Sequence, residues 1–533
     1  MWHKSSQFPN IFPTELVVKI LEELDAFSLV RCRSVCRLLR DIIAETARLT
    51  YDIELAIAEQ EDGTSCSLSA MEKLDLLRNQ QARWVELKWS SQKRYPLNTA
   101  GLWELFGNVL AQNTLDGSFV FVQLPSEYRK IPEREWRVKP NTPRFVRDFG
   151  MDPSQDLLVL IETPRRFAGT ISRYHRIHIR SMSTATRHPL ATGTGFIKHL
   201  QSSLDISYSI QISMDFLAIF FHAAGLSVNE IVIWEWKSGL MKLHLTGREL
   251  RSFCLLSERH ILLSLITNQP DGEDQAELLV VDFEKEENHK QSYFDITHGF
   301  KLSLPVFHPS VGLRSFTVRS DPSPSWSPRP DLEAPFHKAQ DAQIFVASIW
   351  VQKNTLRHLT LLIPRSTLLQ NMDLSGPMSN ESTLAWEAWG PHGSRLMEIH
   401  TRNLSFEIWA CHVFGTKFVF SECSRRSKQK YTLQVFDFNQ KALRNALSQG
   451  HKLSESDVLD MDYLECDSSL CVTAPNIFPA GDIFTDEIKT TLPYRWIAKM
   501  MPSIRASCSS MCSEDSIIVV DQVRMIHTIS HMI

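Results

Sequence analysis

The sequence predicts an α+β multidomain chain, a small all-α region at the N-terminus followed by a large all-β body. Two changes in texture along its 533 residues carry that expectation. Up to about residue 97, apolar residues recur at helical spacing, beginning with Leu16, Ile20, Leu21 and Leu24. From Gly101 onward, short runs rich in Val, Ile, Phe and Trp are bounded by Gly, Pro, Asp and Ser, which is how strands read. Convincing helical patterns are nearly absent after residue 110, and many short strands in series specify a sandwich, a barrel or a propeller.

The first helical pattern opens at Phe12-Pro13-Thr14-Glu15, with Pro13 at a position tolerated in a first turn and Glu15 near the positive end of the dipole. After Asp25-Ala26-Phe27-Ser28, where Ser28 is the expected N-cap, a second apolar series runs Leu29, Cys32, Val35, Cys36, Leu39, Ile42, Ile43. So short a stretch is not expected to close a core unaided, so either the rest of the chain or a partner must cover it. Phe12 to Ile43 resembles an F-box, with Phe12-Pro13 at the usual Leu-Pro, then Glu15-Leu16, Ile20-Leu21, Leu24, Leu29 and Val35-Cys36-Arg37. Leu39 stands where many F-boxes carry Trp. The resemblance implies docking to the Skp-type adaptor of a cullin–RING ubiquitin ligase. It assigns that contact to Phe12, Pro13, Leu16, Ile20, Leu21, Leu24, Leu29, Val35, Cys36 and Leu39.

The expected division is an F-box over 8–50, a helical connector over 51–97 and a β body over 101–533. Ala44 to Ile57 and Leu68 to Trp89 have helical patterns, separated by a polar break, and Pro96 ends the region. Within the body, Ile233-Trp-Glu-Trp236, Val280-Val-Asp-Phe283 and Val435-Phe-Asp-Phe438 share one pattern of two apolar residues, an acid and an aromatic. Each follows an apolar run, Phe216–Phe221, Ile261–Ile266 or Lys417–Ser421. A recurrence every 40 to 50 or so residues suits four-stranded blades, and the expectation is a propeller of about six to eight irregular blades. The first two echoes lie one such step apart, and the third is expected three further steps on. Ile233 to Gly239 resembles the ending of a degenerate WD-type repeat. With Asp148 to Val159, it makes the chain similar to fungal F-box proteins with a propeller-like C-terminal half.

Asp321 to Asp341 carries five prolines and is expected as a long exposed loop. Thr267 to Gln275 and Asn371 to Thr383 are also expected as loops. Ser424 to Lys430 is a basic hairpin connection, and Arg425, Arg426, Lys428 and Lys430 are the candidate target-binding residues, suited to an acidic or phosphorylated peptide. Net charge is −4, giving no electrostatic case for nucleic acid. No apolar run reaches the roughly 20 residues a membrane helix needs. The first ten residues have no apolar core of a signal peptide, and ten cysteines suggest free thiols. The expected location is intracellular, cytoplasmic or nuclear.

No catalytic motif is found, and no cofactor, metal or enzymatic activity is expected. Gly193-Thr-Gly195 lacks the third glycine of a dinucleotide loop. Cys508/Cys512 and Cys466/Cys471 lack partners at zinc-module spacing, and Cys32/Cys36 read as small core residues. The histidines His175, His178 and His298 are expected at exposed or hydrogen-bonded strand edges. The functional expectation is a substrate-recognition subunit of a Skp–cullin–F-box ligase, holding an unknown target through the β body. A scaffold protein with a structural helical hairpin, or a propeller hydrolase with paired carboxylates at its channel, stays open.

Overall fold

The computed structural model describes residues 12–88, 93, 95, 102–141, 146–162, 166–167, 170–171, 174–200, 206–225, 227–268, 274–374, 382–399, 412–423, 430–451, 453–454, 468–502 and 508–521. Five helices come first: α1 (Thr14–Glu22), α2 (Ala26–Val35), α3 (Arg37–Glu45), α4 (Ala47–Ala58) and α5 (Ala70–Glu86). The N-cap of α2 is Asp25, whose carboxylate accepts the Ser28 backbone N–H at 2.7 Å, so the cap lies three residues before the expected serine. Cys36 adopts an extended backbone that breaks the second apolar series into two helices, and its Sγ accepts the Leu39 N–H at 3.5 Å. A core does form locally, from Val17, Leu21, Leu29, Leu39, Ile42 and Ile43 closed by Leu49 and Ile53 of α4. The fourth helix supplies the cover that Phe12 to Ile43 lacks.

The β body is a propeller of six blades, within the expected range. Its blades start at the inner strands Trp103–Phe106, Val146–Asp152, Ile206–Ser213, Leu250–Leu255, Gly312–Arg319 and Val413–Phe414. From the first blade to the sixth, each is wedged against the next by apolar side chains of its strands. In Phe216–Ala223, Ile219 and Phe221 pack toward the second blade while Ala218 and Phe220 pack toward the fourth. Burial on both faces is why such strands read as unbroken apolar runs.

The three echoes occupy one structural position. Trp236, Phe283 and Phe438 each follow the third strand of a blade and donate their backbone N–H to the carbonyl of Asp215, Arg259 or Thr416, in the turn joining strands one and two. Leu124, Met182 and Arg365 do the same to Asn108, Asp156 and Gln343, so this bond, 2.7–3.0 Å long, recurs in all six blades. The third echo lies two blades beyond the second, not three, because the fifth blade is enlarged. Its insertions include α6 (Arg365–Leu374) and α7 (Trp386–Gly393), and with α8 (Gln440–Ser448) they correct the expectation of an almost helix-free body.

The proline-rich segment 321–341 is likewise not an exposed loop. It joins strands one and two of the fifth blade and crosses one end of the central channel as a strap. The Asp321 carbonyl accepts Gly415 N–H of the sixth blade at 2.7 Å, and the Pro322 carbonyl accepts the Gln343 side chain. The Pro324 carbonyl accepts Ser213 Oγ–H of the third blade at 2.7 Å, and Ser325 Oγ donates to Glu258 of the fourth at 2.8 Å. Trp326 lies edge-on to Phe106 of the first blade; a Cβ on Gly107 would meet the Trp326 indole at 3.0 Å and Pro153 of the second blade at 3.3 Å.

The strap also carries the helical region. Gln60–Asp62, just after α4, pairs antiparallel with Phe336–Lys338. Tyr51 Oη donates to both Asp62 and the Pro335 carbonyl, each at 3.0 Å, and Lys73 Nζ donates to Asp62 at 2.8 Å. Gly63 is required at this crossing, since a Cβ there would stand 1.7 Å from the Ala334 carbonyl oxygen. Asn439 donates to the Ile57 carbonyl at 2.9 Å, and Lys499 to the Leu87 carbonyl at 2.7 Å. The seam between the sixth and first blades is filled by α5 and by a hairpin of Cys508–Cys512 and Ile517–Asp521. Arg129 of the first blade, fully buried, forms ion pairs there with Glu514, at 2.6 Å, and with Asp515.

Candidate functional site

Two apolar stripes run side by side on α1. Val17 and Leu21 turn into the module, whereas Leu16 and Ile20, one residue before each, stay 46% and 44% exposed. Phe12 at the helix start, Phe27 and Val30 on α2, Val35 at its end and Leu38 on α3 are exposed too, Phe27 to 64% and Val35 to 73%. Arg31 lies over the Phe27 ring at 4.1 Å. The Ser28 N–H holds the exposed Asp25 carboxyl below the usual carboxylate range, keeping the charged cap at the start of α2. So large a set of exposed apolar side chains on so small a module is the mark of an interaction surface.

Of the ten residues assigned to adaptor contact, Phe12, Pro13, Leu16, Ile20 and Val35 are exposed. Leu24 and Cys36 are half-buried against the module's core. Leu21, Leu29 and Leu39 are interior, so they shape the module rather than present themselves on it. Leu39 thus fills an internal position. Phe27, Val30 and Leu38 were missed; a helical wheel of α2 drawn from Ala26 instead of Ser28 places Phe27 and Val30 together. Arg425, Arg426 and Lys428 lie outside the described residues, and Lys430 begins the third strand of the sixth blade, opposite Pro502.

Residues 11–54 match the F-box-like family model. The match takes in the three exposed helices and most of α4, the helix that completes their core. No curated protein matches the chain. Solved structures similar to it include Drosophila Semaphorin 1b, extracellular domains 1-2, at 9% identity over 82% of this chain and 87% of that one, with a TM-score of 0.34. Drosophila Semaphorin 1a, extracellular domains 1-2, is similar at 7% identity over 79% and 87%, TM-score 0.33. An exo-β-1,3-galactanase from Phanerochaete chrysosporium is similar at 7% identity over 81% and 98%, TM-score 0.23.

The inner strands bring together carboxyl groups that sequence reading did not single out. Glu104 of the first blade is pushed up to about 8 by burial and by Asp148, and Asp148 of the second to about 7 by burial. Asp321, at the root of the strap, is raised well above the carboxylate range by burial and then by Glu104. The strap crosses the channel beside these groups. His175 and His178 are buried and hydrogen-bonded, to Tyr208 at 3.1 Å and Glu162 at 3.0 Å, as one of the two expectations had it, but on a strand inside its sheet and not at an edge. Among the described residues, no helix is long and apolar enough to cross a membrane.

Proposed function

We propose that this chain is the substrate-recognition subunit of a Skp–cullin–F-box type ubiquitin ligase, working inside the cell in cytoplasm or nucleus. The observation that carries the reading is the apolar surface of Phe12, Leu16, Ile20, Phe27, Val30, Val35 and Leu38, standing exposed on the segment that matches the F-box-like model. A Skp-type adaptor would cover that surface, and the cullin would follow through the adaptor. The chain contributes no reactive group in this reading. It raises the effective concentration of a bound target beside the transfer machinery.

The strap and the helical region share one face of the propeller, since Asn439 and Phe336–Lys338 both lie at the ends joining strands one and two. In this reading the target is held on the opposite face, at the connections between strands two and three. A scaffold whose helical hairpin packs permanently on the body is less well supported. The bonds to the propeller come from α4, the strand after it and α5, and they leave the exposed stripe of α1 uncovered.

Affinity capture of the full chain with cullin activity blocked, followed by mass spectrometry, tests adaptor and target together. Recovery of a Skp-type adaptor and a cullin with the wild-type chain, and of neither with a variant of the exposed stripe, is the expected result. Equal recovery by both removes the docking assignment.

A further inference from the structure

At the seam between the second and third blades, three side chains converge from separate strands. His199 stands on the outer strand Phe196–Leu200 of the second blade, Glu230 on Asn229–Glu235 and His244 on Leu240–Gly247 of the third. Glu230 pairs with Thr246 and Val232 with His244, so Glu230 and His244 are diagonal neighbours on one sheet face. Both imidazoles aim Nε2 at the same carboxylate oxygen, Oε2 of Glu230, at 3.2 Å from His199 and 3.0 Å from His244. All three ligand atoms lie within 4.8 Å of one another, and all three residues are buried.

From these distances we propose that His199, Glu230 and His244 bind a divalent transition-metal ion of the zinc class and so staple the second blade to the third. Two imidazoles and one carboxylate are an established zinc donor set. Ligand atoms about 2.1 Å from a metal stand about 3.0 Å apart in six-coordinate and about 3.4 Å apart in tetrahedral geometry, which brackets the two separations seen. The surroundings suit ligand histidines. The His199 ring stacks on Phe221 at 4.5 Å and meets the edge of Trp234 at 5.5 Å, which fixes its rotation.

A neighbouring cationic side chain already occupies the other carboxylate oxygen. Lys290, paired with His244 along the parallel edge strand, sets Nζ 3.1 Å from Oε1 of Glu230 while its side chain remains 47% exposed. It lines a polar cleft of about 550 Å³ with Thr246, Gln291, Glu286 and Asp295. A cation taken up at Glu230 therefore has to compete with this ammonium for the carboxylate. The competing arrangement, in which the two imidazoles and Lys290 simply neutralise Glu230, predicts no uptake of metal.

The test uses the full chain stripped with a chelator, titrated with Zn²⁺ by calorimetry and with Co²⁺ by visible absorption. One equivalent of each is expected to bind with a Kd of micromolar or tighter, with Co²⁺ giving ligand-field bands and Zn²⁺ raising the thermal midpoint. His199→Gln/His244→Gln is expected to weaken uptake at least about 100-fold, and Lys290→Gln to strengthen it several-fold while keeping the fold. Uptake unchanged in the double-histidine variant would assign the metal to thiols elsewhere and overturn the proposal. Absence of uptake by the wild type, or no gain in Lys290→Gln, would overturn it equally, whether or not the double variant folds.

Discussion

Replacing Leu16 and Ile20 together by aspartate separates docking from folding. Val17 and Leu21 hold α1 to its module, so a change confined to the neighbouring stripe leaves the core of Leu29, Leu39, Ile42 and Leu49 intact. Fully burying a leucine or isoleucine side chain is worth about 1.5–3 kcal/mol. With 46% and 44% of the two residues still exposed, covering them yields about 0.7–1.4 kcal/mol each. Aspartate forfeits that gain and adds the desolvation of two carboxylates, about 1–3 kcal/mol apiece at an imperfectly paired interface. The sum is at least about 3.4 kcal/mol, roughly a three-hundredfold or greater loss of adaptor affinity. Calorimetry with a purified Skp-type adaptor measures it, while circular dichroism and the thermal midpoint check that the chain stays folded. Leu21→Asp is the contrasting control, losing binding and module together. A folded Leu16→Asp/Ile20→Asp chain that binds adaptor within threefold of wild type would refute the assignment of the exposed stripe.

Gly63→Ala is expected to loosen the helical region from the strap, because its Cβ has no room beside Ala334; a lower thermal midpoint and new proteolysis between 59 and 70 are the readouts. Arg129→Ala leaves Glu514 and Asp515 facing each other in a buried seam and is expected to destabilise by about 3–5 kcal/mol, with faster hydrogen exchange in strands of the first and sixth blades. His358, stacked on Trp350 and bonded to Ser348 Oγ at 2.7 Å, has its imidazole pushed down to about 4 by burial. Its folded pKa lies below the unfolded value, so its contribution is fully present above about pH 6.5 and is lost as pH falls toward 4. The destabilisation caused by His358→Asn should therefore shrink by about 2–3 kcal/mol between pH 7 and 4.5, measured by urea unfolding; a pH-independent difference would count against the burial argument.

The parts of this molecule that a reader can see in its sequence are those whose side chains face one kind of neighbour. Phe216–Ala223 is apolar throughout because blades press on it from both sides, and the acid-aromatic endings recur because each closes the same turn. The helical module is legible for the matching reason that α1 and α3 repeat at helical spacing. What stayed hidden depends on tertiary partners. Proline removes backbone donors, so 321–341 reads as a loop, yet its carbonyls and Trp326 are spent on the turns of other blades. Helix α7 includes Gly390, Pro391 and Gly393, which local propensity rejects, and it is held by Trp386 and Trp389 packed in the core. His199, Glu230 and His244 share no motif spacing; only the stacking of two blades makes them neighbours. The apolar residues of α1 are legible in the sequence, but which of two adjacent stripes faces inward is decided by α4.

The strap has a consequence for geometry at a distance. Clasped by Gln60–Asp62 at one end and by the propeller turns along its length, it makes the joint between the helical module and the body a fixed bracket instead of a tether. Under the proposed receptor role, such a joint would present a target on a single bearing relative to the docked machinery. Which lysines of a target come within range would then be chosen by direction and reach, and lengthening the bracket by a few residues would change the choice without altering either binding surface.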